Sequence, residues 1–177
     1  MQYLKALVIW TTLILGVHSS AFSKEPHLAG IMVLGGVTEQ GIPCYDAKIT
    51  LFMENRIQQV VQTNDDGSFQ VALTPGKLYT LEIARAGLIT KRISIDTNMD
   101  GNRNHDVMVF DCYVDMMPEE MLEGVDTSDL DFPVALLSYD KKAKTFVHDP
   151  LYTYQMLSTV TSLLKEAEEN HTTSKKK

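Results

Sequence analysis

The sequence predicts a mainly β protein: a seven-stranded antiparallel sandwich followed by a C-terminal hairpin and one amphipathic helix. Three observations carry this prediction. Short apolar runs with period-two alternation recur at spacings of roughly 8–12 residues between positions 30 and 116, each bounded by turn residues, and no helical period interrupts them. The stretch 62–87, QTNDDGSFQVALTPGKLYTLEIARAG, holds two such runs and both of their turns. From residue 149 the apolar spacing changes from two to three and four.

Taken in order, residues 30–37 form the first strand, in which Gly35-Gly36 marks a bulge or a close approach of backbone to a neighbour. The run 39–43 is a turn. In 47–52, Ala47, Ile49 and Leu51 face one way and Lys48 and Thr50 the other, the pattern of a half-buried strand. Met53-Glu54-Asn55-Arg56 reverses the chain, and Ile57, Gln59, Val61 and Thr63 then share a face. Asn64-Asp65-Asp66-Gly67 supplies residues that tolerate left-handed backbone, after which Phe69, Val71 and Leu73 point to one side. In Thr74-Pro75-Gly76-Lys77, proline presets φ for the first central position and glycine accepts the positive φ of the second. Tyr79, Leu81 and Ile83 follow on one face, so 62–87 reads as two adjacent strands. Residues 88–96 place Ile89, Ile93 and Ile95 together, and 107–116 does the same for Met108, Phe110, Cys112, Val114 and Met116.

Beyond residue 117 the rhythm breaks. Residues 118–131 read as an acidic connector, and 132–139 and 145–148 flank a polar loop as an extra hairpin. Asp149-Pro150 is a helix start, a capping carboxylate followed by a proline whose missing N–H costs nothing in the first turn. Tyr152, Met156, Val160, Leu163 and Ala167 then make the stripe of a helix of about 18 residues, which either packs on its own domain or is offered to a partner. The expected organisation is a leader at 1–23, a sandwich at 24–117, a connector and hairpin at 118–148, a helix at 149–170 and a basic tail at 171–177.

The leader reads as a secretory signal peptide. Lys5 precedes an apolar run from Ala6 to Val17 that is too short for a stop-transfer span, and the small residues Ser19, Ser20, Ala21 and Ser23 follow. Cleavage is expected after Ala21 or Ser23, giving a soluble exported protein, periplasmic or at the cell surface, with no membrane span. Removing Lys5 takes the formal charge from −7 to about −8. Between residues 111 and 131 stand eight acids (Asp111, Asp115, Glu119, Glu120, Glu123, Asp126, Asp129, Asp131) and no Lys or Arg. Such a surface repels phosphate backbones and argues against nucleic acid as a partner. It is either a solvated loop or a docking or cation-binding face. Cys44 and Cys112 sit in a chain whose expected compartment allows oxidation: either they are bridged, which would stabilise by about 4 kcal/mol in the chain-entropy model, or they are two buried thiols.

Thr63-Asn64-Asp65-Asp66-Gly67-Ser68-Phe69, then Pro75-Gly76-Lys77-Leu78-Tyr79-Thr80-Leu81, then Gly87 resembles the T-x-x-x-G-x-F … P-G-x-Y-x-L … G pattern of carboxypeptidase-regulatory-like domains, prealbumin-like (transthyretin-like) sandwiches related to the Cna-B and immunoglobulin-like types. The resemblance covers residues 30–97, with Leu88 standing where that family usually has an aromatic. Residues 110–118 and 130–135 are similar to an extension found on short exported Bacteroidota proteins that carry this domain. The resemblance implies a non-catalytic envelope module, either alone or beside peptidases and outer-membrane receptors; fold alone does not give function.

Chemical signals are sparse. The histidines His18, His27, His105, His148 and His171 have neither the H-x-x-E nor the H-E-x-x-H spacing of a metal site, and there is no G-x-S-x-G elbow and no phosphate-cradling loop. No enzymatic activity and no cofactor are expected. One constellation has definite chemistry: Asp96, Asn98, Asp100, Asn102 and Asn104 place oxygen ligands at positions one, three, five, seven and nine of a calcium-type loop, with Gly101 at six. Val107 stands at position twelve, without the bidentate carboxylate, so the segment is either a weak calcium site or a turn-rich loop. Carbohydrate binding is disfavoured, because the single tryptophan, Trp10, lies in the leader and the tyrosines alternate with core residues.

Overall fold

A computed structural model describes residues 30–99 and 107–174. The expected signal peptide at 1–23 lies outside the described residues, as do Asp100, Asn102 and Asn104 of the calcium-type loop and the last three lysines.

The chain forms two packed sheets, with ten strands among the described residues where seven and a hairpin were predicted. In the first sheet β1 (Ile31–Glu39) is central. Along one edge it pairs antiparallel with β5 (Ser68–Leu73) and the two-residue β2 (Ile42–Pro43), and along the other it pairs parallel with β8 (Met108–Met116). The second sheet runs β10 (Thr145–His148), β9 (Ala135–Asp140), β7 (Lys91–Asp96), β6 (Leu78–Ala84), β3 (Lys48–Met53), β4 (Arg56–Gln62). Its pairs are antiparallel except β7 with β9. The expectation of all-antiparallel pairing is therefore corrected at two places. Both are strands whose connection passes through the opposite sheet, and such a crossover returns the chain in the same direction.

Alternation places the core as predicted. Phe69, Val71 and Leu73 of β5, Tyr79, Leu81 and Ile83 of β6, and Phe110, Cys112, Val114 and Met116 of β8 are all buried in one apolar cluster. Their partnership differs from the prediction: β5 and β6 are not adjacent but lie in opposite sheets. The turn between them crosses the sandwich because it is pinned to the end of β7. Buried Thr97 accepts the Lys77 N–H at 2.9 Å through Oγ1, donates to the Lys77 carbonyl at 2.7 Å, and its own N–H reaches that carbonyl at 2.8 Å. The predicted shared face of Ile57, Gln59, Val61 and Thr63 is also corrected: Gln59 pairs with Leu51 but Ile57 with Phe52, a register shift that turns Ile57 to the other side of β4, where it is exposed.

The two glycines of β1 are sites of close approach with no bulge in the pairing register. Phe69 lies against Gly35 and Tyr113 against Gly36, where a Cβ would overlap either ring. Phe146 of the hairpin joins the main core beside Phe110, with ring centroids 4.6 Å apart. Two 3-10 turns, Glu119–Leu122 and Ser128–Asp131, occupy the acidic connector and bury Leu122 and Leu130. The helix α1 (Pro150–Ser174) is longer than expected at 25 residues. Asp149 caps it as predicted, its carboxylate accepting the Tyr152 N–H at 2.9 Å.

Candidate functional site

The helix is held at two places. Near its start the Tyr152 hydroxyl donates to the Pro133 carbonyl at 2.6 Å, and toward its end Leu163, Leu164 and buried Ala167 pack on Leu122 and Leu130. The predicted stripe faces inward in both regions. Between them the helix spans an open groove of about 590 Å³, whose walls are Thr153, Met156, Leu157 and Val160 on the helix and Ile89, Lys91, Ile93, Met116, Met117, Met121 and Leu130 across from it. Tyr113, Asp115 and Gln40 close one side. A volume of this size is typical of sites that enclose a ligand or several side chains.

Two exposed apolar side chains stand at the groove's walls, Leu157 at 61% and Tyr113 at 79% exposure. Leu151 and Tyr154, 67% and 71% exposed, continue the helix's apolar surface away from the groove, and the inward stripe did not predict them. From 150 to 164 the helix carries no charged residue. An exposed helix face without charge departs from the polar outer face of an ordinary amphipathic helix.

Among the described residues two charged side chains line the groove, Lys91 and Asp115. The Lys91 ammonium donates to the Asp115 carbonyl at 2.5 Å; burial pushes its pKa below the ordinary lysine value, and the Asp115 charge opposes that shift. Hydrogen bonds from the Thr38 hydroxyl at 2.5 Å and the Gly41 N–H at 3.0 Å hold the Asp115 carboxyl below its usual range. These contacts tie the end of β8 to the β1–β2 turn and leave the groove walls otherwise apolar. Beside it lies a shallower hollow of about 520 Å³ bordered by Glu39, Arg85, Glu119 and Glu120. There Arg85 reaches Glu39 at 3.2 Å and the Cys44 sulfur at 3.4 Å, with its guanidinium over the Tyr45 ring.

Asp115 of the acid cluster and Met156 and Val160 of the helix stripe line this groove, whereas the calcium-type loop and the cysteines singled out from the sequence do not. Of the calcium-type loop only Asp96 and Asn98 are described; Asp96 accepts the Asn98 N–H at 2.9 Å, the bond of an Asx turn. Among the described residues no group of three His, Cys, Asp or Glu is placed to hold a metal ion. Cys44 and Cys112 are both buried and free, the second of the two alternatives drawn from the sequence. β1 stands between them: Cys44 bonds through its N–H to Val37 on one edge, and Cys112 pairs with Gly35 on the other. Two strand spacings, about 10 Å, exceed the span of a disulfide. Burial pushes the Cys112 thiol up to about 11.

Sequence reasoning missed the groove because five separate segments build it, at 40, 89–93, 113–121, 130–135 and 153–160. Two signals were present: the charge-free run 150–164 with its second apolar spacing at Leu151, Tyr154 and Leu157, and the methionines at 116, 117, 121 and 156.

No protein-family model matches the chain, and no curated protein matches it. Solved structures with partial likeness include the Bacillus anthracis TIE protein (14% identity, 50% of this chain, 16% of that one, TM-score 0.40), a group B streptococcus pilus 2b backbone protein (12%, 49%, 40%, 0.35) and catechol 1,2-dioxygenase from Acinetobacter sp. ADP1 (13%, 63%, 59%, 0.39). The chain thus spans about a sixth of the first and two fifths of the second. Among the described residues no helix is long and apolar enough to cross a membrane.

Proposed function

We propose that the chain is a non-enzymatic, exported interaction module of a bacterial cell envelope, and that the groove under α1 is its recognition surface. One observation carries the reading: the sandwich core is complete without the middle of the helix, yet that segment spans an apolar groove and turns Leu151, Tyr154 and Leu157 outward. A helix whose only role was to cover the sheet would carry charge on that side. Lys91 and Asp115, the charged groups on the walls, are each bound to neighbouring groups of the fold, so the groove offers shape and apolar area in place of a nucleophile or a paired acid and base. Export follows from the leader at 1–23 and the envelope setting from the domain resemblance, both as part of this proposal.

The test is retention of a specific protein from envelope extracts by the immobilised chain and by its Leu157→Asp variant. A partner held by the first and lost by the second supports the reading. Retention unaffected by the substitution moves the interaction surface elsewhere, and saturable glycan binding with no protein retained would replace the reading with a ligand-binding one.

A further inference from the structure

We infer that the occupant of the groove is an amphipathic segment of another protein whose apolar anchors are flanked by Lys or Arg. The inference rests on the interaction reading above and adds the chemistry of the partner. Met117, Met121 and Met156 line the groove with half-buried or exposed side chains, and Met116 is buried behind them. Unbranched thioether side chains adapt to inserted side chains of varied shape, and this suits a peptide more than one rigid ligand. The helix wall adds Leu157 and Val160, with Tyr113 opposite.

Charge selects among occupants. The hollow beside the groove is bordered by Glu39, Glu119 and Glu120, and among the described residues only Glu39 of these has a cationic partner, Arg85. Asp131, on the far side of Leu130, is paired with Arg92 at 3.4 Å, while Asp129 is exposed beside it. The one cation on the wall, Lys91, lies close enough to Asp115 to feel its charge and donates to that residue's carbonyl. The apolar surface is thus rimmed by net negative charge. A second copy of this chain would bring like charges together and an anionic lipid surface would be repelled, whereas a segment with basic flanks is attracted. Helix-in-groove recognition with apolar anchors at three- and four-residue spacing fits these walls.

The test measures binding of three fluorescent 14-residue peptides by anisotropy: leucine at helical spacing with lysine elsewhere, the same with glutamate, and the same with glutamine. The wild-type chain is compared with Leu157→Asp and with the Glu119→Gln/Glu120→Gln double variant, all exposed sites where substitution leaves the core intact. The lysine peptide is expected to bind at least about tenfold tighter than the glutamate peptide, to lose affinity in Leu157→Asp, and to weaken by about threefold per rim acid removed, with the preference shrinking as salt rises. Equal or tighter binding of the glutamate peptide, still dependent on Leu157, would overturn the basic partner and leave the interaction module standing. Lysine-peptide binding indifferent to Leu157→Asp would show general attraction to an acidic surface and would overturn the inference. So would Leu157-dependent binding to phosphatidylglycerol vesicles, or a dimer in sedimentation that Leu157→Asp dissolves. If no peptide binds, the inference fails; the interaction reading fails with it only if the envelope partner is also absent.

Discussion

Gly67 and Gly76 share a backbone angle and differ in surroundings, so their alanine variants separate two causes of instability. Both have φ of +77°. A Cβ on Gly76 would meet nothing within 4 Å, whereas a Cβ on Gly67 would stand 2.4 Å from the Val37 carbonyl oxygen and 3.2 Å from the Cys44 nitrogen. Gly76→Ala therefore carries only the left-handed penalty, about 1–2 kcal/mol, reduced by the entropy that alanine removes from the unfolded chain. Gly67→Ala carries the same penalty and must also move backbone. That oxygen accepts the Cys44 N–H at 2.9 Å, and the Val37 N–H donates to the Gly67 carbonyl at 2.9 Å. Loss of these two bonds adds about 1 kcal/mol each, and more where a buried group is left unpaired. The expected cost is roughly 3–5 kcal/mol at Gly67 and about 1 kcal/mol at Gly76. In urea, with a slope of about 1–3 kcal/mol per molar, the Gly67 variant should melt about 1–2 M below the Gly76 variant. Equal midpoints would refute the reasoning, because they would mean that the chain tolerates a side chain between β1 and the turn before β5.

Further outcomes follow from the same contacts. Thr97→Val should cost about 1–3 kcal/mol in urea unfolding by leaving the Lys77 N–H without its acceptor, while Thr97→Ser, which keeps the hydroxyl, should recover most of it. Mass spectrometry of denatured, unreduced protein should show two alkylatable thiols at Cys44 and Cys112, and a single cross-linked peptide would contradict the strand order. Because burial raises the Cys112 thiol from its ordinary 9.0 to about 11, the thiolate forms first in the unfolded chain. The stability tied to the neutral thiol is whole below pH 9 and falls between about 9 and 11 by somewhat more than 1 kcal/mol per pH unit, a loss that Cys112→Ala should abolish. For the calcium-type spacing at Asp96, Asn98, Asp100, Asn102 and Asn104, thermal midpoints in excess calcium and in chelator should coincide; a rise with calcium would establish a site.

Much of the sandwich was legible in the chain because alternation reports which side of a strand is buried. It placed Phe69, Val71, Leu73, Tyr79, Leu81 and Ile83 in the core, and the turn chemistry placed positive φ at Gly67 and Gly76. Alternation does not report which edge pairs with which. The four-residue turn at 74–77 suits a hairpin as well as a crossing between sheets, and the crossing form is held by the buried Thr97 hydroxyl, which bonds the Thr74 and Lys77 carbonyls from twenty or more residues on. Period-two spacing put Ile57 on the face of Gln59, Val61 and Thr63, but an extra residue in β4 shifts the register there and leaves Ile57 exposed on the other side. The helix was read from its inward stripe, and its cap at Asp149 was correct. Its residues Met156, Leu157 and Val160 become a groove wall only when 89–93, 113–121 and 130–135 arrive opposite them, which no local pattern encodes.

The claim that the groove under α1 is the functional surface is tested most directly by photo-cross-linking in intact cells. A photoreactive side chain is placed singly at Tyr113, Met121 or Leu157 on the groove, and at Ile57, Val60 or Leu78 on apolar surface elsewhere in the fold. All six positions are exposed, so exposure alone does not distinguish them. The account predicts one discrete protein adduct from the groove positions and none from the others; adducts of equal yield from both sets, or from Ile57, Val60 and Leu78 alone, would contradict it.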